Sequence, residues 1–96
     1  MEKVIKKDYI NIVSDSLYGD SDVPHPRKYG TFAKFIAEYA IDKKTISLTS
    51  AIKKCTYLPA TRMSLMNRGY IADGACADIL IFNRDKLKDN ATYGEP

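Results

Sequence analysis

The chain has 96 residues, of which 45% are hydrophobic and 28% charged, so it allows one small domain and argues against disorder. Its net charge of +3 is a mild excess spread along the chain, which does not indicate a nucleic-acid partner. No apolar run approaches the ~20 residues that span a bilayer, and residues 1–8 lack the apolar stretch of a secretory signal. We therefore expect a cytoplasmic protein without a membrane partner.

The first predicted elements are a helical turn over residues 2–7 and a strand over residues 9–13. The strand is apolar on both faces, as in a parallel strand that is covered on both sides. Asp15 follows two residues later. Residues 16–30 contain two prolines and two glycines and are expected to form a loop, and loops of this length are often functional.

Three helices are predicted after the loop. Thr31 is a candidate N-cap for the first and Ser47 for the second, because apolar residues then recur at helical spacing. Pro59 suits the first turn of the third. In the second helix, Lys53 and Lys54 are placed on the exposed face. The predicted helices cover residues 32–43, 48–55 and 59–65.

Two further strands are predicted over residues 70–71 and 78–82, and the polar residues 86–96 are expected to fray. The strand over residues 9–13 has no parallel neighbour close to it in sequence. An unpaired strand cannot satisfy its backbone hydrogen bonds. It must therefore pair with the C-terminal strands, or its partners belong to polypeptide missing from this chain. The expected fold class is α/β, or α+β for the chain in isolation.

The chain is poor in metal ligands, because it has one histidine, and a catalytic zinc ion usually needs three protein ligands and a water molecule. Asp15, Asp20, Asp22 and His25 make at most a weak cation site. Cys55 and Cys76 lie in unlike surroundings, so we expect two buried thiols rather than a disulfide.

Two ordered motif blocks resemble a known family, and the match extends over roughly residues 9–94. The first block is Ser14-Asp15 followed by the run PHPRKYGTF at residues 24–32. The second block runs over residues 47–82 and contains a helix, a Thr-x-x-Pro-Ala turn, Gly-x-Ile, Gly and an Ala-Asp pair before an apolar run. Together they resemble the N-acyl-D-amino-acid deacylases (D-aminoacylases) of the amidohydrolase superfamily, and the run Ala91-Thr92-Tyr93 fits the same family.

The resemblance implies a position in a larger fold. Residues 1–65 would be the C-terminal end of a metal-dependent β/α barrel, comprising its last strand, an active-site loop and the following helices. Residues 66–96 would be part of the flanking small β domain. The chain would then be a C-terminal fragment, starting just before the last barrel strand.

The resemblance also implies a chemistry, the hydrolysis of the amide bond of N-acyl-D-amino acids at a zinc centre. Asp15 matches the aspartate that contacts the metal and acts as general base. His25, Arg27 and Tyr29 match the loop that lines the substrate mouth, where a guanidinium suits a substrate carboxylate. From the residues alone, an aspartate at position 15 is more often a loop-capping carboxylate and an arginine at position 27 more often a solvated cation.

The departures from the family concern the metal. The chain has no counterpart of the family's metal ligands, which are a His-x-His pair, further histidines and a Cys or carboxylate. We therefore expect no metal and no activity in the chain alone. The expected partners are the rest of the barrel or a second copy of the chain. The alternative is a small non-catalytic interaction domain, or a subunit that completes a partner's barrel. The acyl group and the D-amino acid are not specified by the sequence.

Overall fold

A computed structural model describes residues 1–16 and 23–95, so Asp20 and Asp22 lie outside the described residues. Helices account for all the regular structure in these two ranges, and no β-strand occurs in them. The elements are α1 (Glu2–Ile5), α2 (Arg27–Phe35), a π-helix (Ile36–Asp42) that continues α2, α3 (Leu48–Cys55), α4 (Tyr57–Arg62) and a 3-10 helix (Arg84–Lys86).

None of the three predicted strands is therefore a regular strand in the described part of the chain. The predicted α/β class requires strands, so its β part is not observed there. Residues 9–13 and 78–82 are extended or irregular. The physical reason is that a strand is defined by hydrogen bonds to a neighbouring strand, and these segments find none among the described residues. Within the same residues, no helix is both long and apolar enough to cross a membrane.

Helix α2 begins at Arg27, earlier than the predicted N-cap at Thr31. The side chain of His25 supplies the local reason, because its Nδ1 accepts a hydrogen bond from the backbone N–H of Arg27 at 3.1 Å. Thr31 lies inside the helix, and its hydroxyl donates to the carbonyl of Arg27 at 2.8 Å. Gly30 is a buried helical residue rather than a loop residue.

Helix α3 confirms its prediction, since it covers Leu48–Cys55 and its N-cap is Ser47. The Ser47 hydroxyl oxygen accepts the backbone N–H of Ser50 at 3.1 Å, as an N-cap side chain does. Helix α4 begins at Tyr57 and ends at Arg62, so its predicted bounds of 59–65 are displaced. Pro59 still lies in the first turn, where its missing N–H costs no helical hydrogen bond.

The core is small and lies between α1, the α2–π-helix unit and α3. Ile5, Phe35, Ala40 and Ala51 are buried in it, and half-buried apolar side chains pack around them. Outside this cluster, large apolar side chains face solvent in residues 71–82; Ile71 is 86% exposed and Ile81 91% exposed. Apolar surface of this extent usually meets another protein surface.

Lys54 contradicts its predicted place on the exposed face of α3, because it is only 3% exposed. Its ammonium donates hydrogen bonds to the backbone carbonyls of Lys7 and Ile10. These acceptors lie 47 and 44 residues away in sequence, so helical periodicity gives no indication of the contact.

Residues 84–93, most of which belong to the tail that is predicted to fray, contain one short helix and make contacts with α2. The 3-10 helix begins after Asn83, whose side chain accepts the backbone N–H of Asp85 at 2.9 Å. Further on, the Asp89 carboxylate lies so close to Gly30 that a Cβ at this position would collide with it. A buried glycine on α2 therefore makes room for the tail to lie against the helix.

Both cysteines are free thiols, as expected, but only Cys55 is partly buried, and Cys76 is exposed. Burial raises the pKa of the Cys55 thiol to about 11. Because the thiolate is the nucleophile, Cys55 should react slowly at neutral pH.

We expect iodoacetamide at pH 8 to alkylate Cys76 at least about tenfold faster than Cys55, since a thiol of pKa about 11 is only about 0.1% thiolate at that pH. The Cys55 rate should rise about tenfold per pH unit up to its pKa. Mass spectrometry of the single variants Cys55→Ser and Cys76→Ser measures each thiol separately. Equal rates in the two variants at pH 8 would contradict the burial of Cys55.

Candidate functional site

The structure brings Asp15 and Arg27 together, although they lie 12 positions apart in the sequence. The Nη2 of Arg27 lies 3.5 Å from Oδ2 of Asp15, and the Asp15 side chain is 78% exposed. Asp15 has a φ of +50°, in the left-handed region that costs most L-residues energy but that aspartate tolerates. Backbone strain of this kind tends to occur at functional sites, where it directs a side chain. The carboxylate thus points into solvent beside a guanidinium.

The guanidinium of Arg27 retains unused donors. Its Nε is buried and has no hydrogen-bond partner among residues 1–16 and 23–95. A buried N–H without a partner is costly, and a bidentate carboxylate is the ligand that fits the guanidinium fork best. Because Nε is buried while the side chain as a whole is 38% exposed, a second acceptor can reach Arg27 only through its Nη groups.

His25 is held at the start of α2 by both ring nitrogens. Because Nδ1 accepts the backbone N–H of Arg27, the neutral ring carries its proton on Nε2, which lies 3.2 Å from the hydroxyl of Tyr93. The two rings meet edge to face with centroids 5.0 Å apart. His25 thus fixes the backbone of Arg27 and joins it to the C-terminal tail.

Tyr93 is the residue of this cluster that sequence reasoning missed. It lies 68 residues from His25, and the polar composition around it suggested a frayed end. The one indication in the sequence was the run Ala91-Thr92-Tyr93, which resembles the deacylase pattern. That resemblance could have placed Tyr93 in the fold.

Tyr29 stands apart from the Asp15–Arg27 pair. It is 62% exposed and lines a cavity of about 280 Å³ together with Gly30, Ala33 and residues 88–91. The ammonium of Lys28 lies 5.5 Å from the centroid of its ring. Of the predicted substrate-binding residues, Arg27 thus lies beside Asp15, His25 contacts the backbone of Arg27, and Tyr29 lines another cavity.

Metal-binding capacity is limited in the described part of the chain. No group of three His, Cys, Asp or Glu side chains comes together in residues 1–16 and 23–95. The exposed carboxylate of Asp15 fits as one oxygen ligand, but a catalytic zinc ion needs further protein ligands. Any zinc centre that uses Asp15 must take its other ligands from elsewhere.

A second, larger groove of about 570 Å³ lies between α2, α3 and residues 68–82. Apolar side chains make most of its walls, among them Phe32, Ile36, Ile52 and Leu80. Both cysteines line it. Tyr70 and the ion pair between Arg68 and Asp78 also line it, so the groove is mainly apolar with a few polar groups in its wall.

Comparison with known proteins gives the site its context. No protein-family model matches the chain. The chain is 33% identical over all its 96 residues to an N-acyl-D-glutamate deacylase and 39% identical over 85 residues to a D-aminoacylase, both from Alcaligenes xylosoxydans xylosoxydans. The chain is homologous to N-acyl-D-amino-acid deacylases. It spans 20% and 17% of the lengths of these two deacylases, respectively.

Solved deacylase structures contain the same fold. A zinc- and phosphonate-bound N-acyl-D-glutamate deacylase from Bordetella bronchiseptica matches 98% of the chain with a TM-score of 0.90 and 30% identity. A D-aminoacylase described as defining a subset of amidohydrolases matches equally well at 31% identity, and another is described with a binuclear metal centre. Each match covers 20% of the solved chain. The helices and irregular segments described above therefore have the arrangement of a deacylase segment.

Proposed function

We propose that the chain is the C-terminal portion of a zinc-dependent deacylase that hydrolyses the amide bond of N-acyl-D-amino acids, and that it is inactive without the rest of the enzyme. The observation that carries this proposal is the Asp15–Arg27 pair at 3.5 Å, within a fold that matches zinc-bound deacylases with a TM-score of 0.90. We assign residues 1–65 to the end of the β/α barrel, residues 66–96 to the small β domain, and the protein to the cytoplasm.

Asp15 acts as the general base in this proposal and also as a metal ligand. Zinc, when bound, supplies a Lewis acid and lowers the pKa of a water molecule in its coordination sphere. The Asp15 carboxylate accepts a proton from the attacking water and donates it to the leaving nitrogen. One water is consumed, the C–N bond breaks, and a carboxylate and a D-amino acid are released. The exposed left-handed conformation of Asp15 supports this role, because its carboxylate is accessible to a proton donor.

Arg27 binds the substrate carboxylate through its Nη groups, since Nε is buried, and His25 fixes its backbone at the start of α2. A D-amino acid carries an α-carboxylate next to the scissile amide, so a guanidinium beside the general base orients that amide. Tyr29 stays a predicted substrate contact, in the second cavity beside the same helix.

A chimaera tests the proposal. The chain replaces the matched segment of the Alcaligenes N-acyl-D-glutamate deacylase, whose alignment spans all 96 residues. We expect the chimaera to hydrolyse N-acyl-D-glutamate and to bind zinc, and we expect the isolated chain with added zinc to do neither. A folded, zinc-loaded chimaera without turnover, or turnover by the isolated chain, would refute the proposal.

A separate non-catalytic subunit is the second candidate, favoured by the apolar groove and by exposed Ile71, Leu80 and Ile81. Such a subunit would complete a partner's barrel or associate with its own copy. Light scattering at several concentrations distinguishes the cases, because a subunit of this kind self-associates or binds the remaining part of a deacylase. A monomer at all concentrations that binds no such partner would exclude it.

A further inference from the structure

The segment that leads to Asp15 is held by side chains of α3 and α4. The Lys54 ammonium donates to the carbonyls of Lys7 and Ile10, and Nη2 of Arg62 donates to the carbonyl of Tyr9 at 2.6 Å. The backbone N–H of Ile12 in turn donates to the carbonyl of Lys54 at 3.2 Å. Four hydrogen bonds thus fix residues 7–12 from one side.

The burial of Lys54 calls for a specific role. A lysine at 3% exposure loses most of its hydration, and its described acceptors are neutral carbonyls rather than a carboxylate. A buried charge without an opposite charge is unfavourable, and an apolar side chain of similar volume is usually tolerated as well or better. The hydrogen bonds of Lys54 instead join its cation to the backbone of Lys7 and Ile10, a few residues before Asp15.

The held segment ends three residues before Asp15. Its backbone groups have no strand partner among residues 1–16 and 23–95, so helix side chains provide hydrogen-bond partners that a sheet would otherwise supply. Asp15 itself has few other restraints, because it is exposed and its described ion pair is a single 3.5 Å contact. The position of its carboxylate therefore depends on the segment before it.

We propose that Lys54 and Arg62 are positioning residues that hold residues 7–12 in place and thereby set the location of the Asp15 carboxylate relative to the scissile amide. The proposal rests on the proposed function of Asp15. It assigns a role in the reaction to Lys54 on α3 and Arg62 on α4, neither of which belongs to the Asp15–Arg27 pair.

The test uses Lys54→Met in the chimaera, with Lys53→Met as the matched control. Lys53 lies next to Lys54 on α3 and is exposed, so its replacement removes the same charge without the carbonyl contacts. At an assay temperature well below the melting temperature, we expect Lys54→Met to lower kcat by about tenfold to a hundredfold. KM and zinc content should be unchanged. A purely structural role would lower the melting temperature and leave kcat at low temperature unaffected.

Amide hydrogen exchange provides the second readout and does not depend on catalysis. In Lys54→Met we expect the Ile12 amide to exchange at least about tenfold faster, with α3 still protected. If Lys54→Met fails to fold, Arg62→Met takes its place, because the Arg62 side chain is exposed. We expect a smaller loss of kcat in that variant. Unchanged kcat and unchanged exchange in the folded variant would overturn the proposal. An inactive but folded parent chimaera would refute the deacylase function, while exchange would still decide whether the cations hold the segment.

Discussion

Asp15→Asn in the chimaera is expected to lower kcat/KM by about 10²–10⁴-fold, the range that a general base contributes. The amide has nearly the shape of the carboxylate but accepts no proton at neutral pH, so proton transfer from water to the leaving nitrogen is lost. The exposed position and the single 3.5 Å contact with Arg27 mean that the fold should tolerate the change. Steady-state kinetics with N-acyl-D-glutamate and zinc analysis measure the effect.

Asp42→Asn is the control for this substitution. Asp42 is an exposed carboxylate at the end of the π-helix, so its replacement makes the same change of charge away from the site. We expect kinetics within about twofold of the parent chimaera. A similar loss in both variants, or full activity of Asp15→Asn, would remove Asp15 from the mechanism.

Gly69→Ala is expected to destabilise the chain by about 2–4 kcal/mol. Gly69 has a φ of +84°, and a Cβ there would stand 2.8 Å from the carbonyl oxygen of Thr56 and 3.0 Å from the Cβ of Ala60. The substitution therefore adds a collision with the backbone at the start of α4 to the cost of the left-handed conformation. Urea unfolding of the chimaera monitored by circular dichroism measures the loss.

Gly74→Ala separates the two contributions. Its φ of +81° is almost the same, but a Cβ at Gly74 meets no atom within 4 Å among the described residues. We expect only the conformational cost, about 1 kcal/mol. Equal losses in Gly69→Ala and Gly74→Ala would show that the turn at Gly69 moves away from α4 without cost.

Helices α1 and α3 could be predicted from the sequence because their determinants are local. Ser47 caps α3 through a side chain three residues from its partner, and the apolar spacing after it is regular. The predicted start of α2, with Thr31 as the N-cap, was wrong because the helix begins at Arg27, directly after a proline. The N-cap residue is Pro26, and the ring of His25 before it accepts the N–H of Arg27; a histidine before a proline gave no reason to expect a helix there.

The strands and the buried lysine could not be predicted from local pattern. Residues 9–13 have a strand composition, but a ladder requires a neighbour, and the deacylases that the chain matches are about five times longer. Lys54 is buried through contacts 44 and 47 residues away, and His25 meets Tyr93 across 68 residues. Contacts of that range arise only when the whole fold is assembled. Of the site, the sequence and its family resemblance indicated Asp15, His25 and Arg27 but missed Tyr93 and Lys54.

The π-helix that continues α2 has a consequence for comparing this chain with its relatives. From Ile36 to Asp42 the hydrogen bonds join residues five apart, and the last of them joins the N–H of Lys43 to the carbonyl of Glu38 at 2.9 Å. Each hydrogen bond of a π-helix therefore encloses one residue more than the corresponding hydrogen bond of an α-helix. A relative with one residue fewer in this stretch would keep the face of α2 that precedes it, and the irregular residues 43–47 before α3 would take up the change. A single-residue deletion between Ile36 and Asp42 is therefore expected to leave α2 itself unchanged.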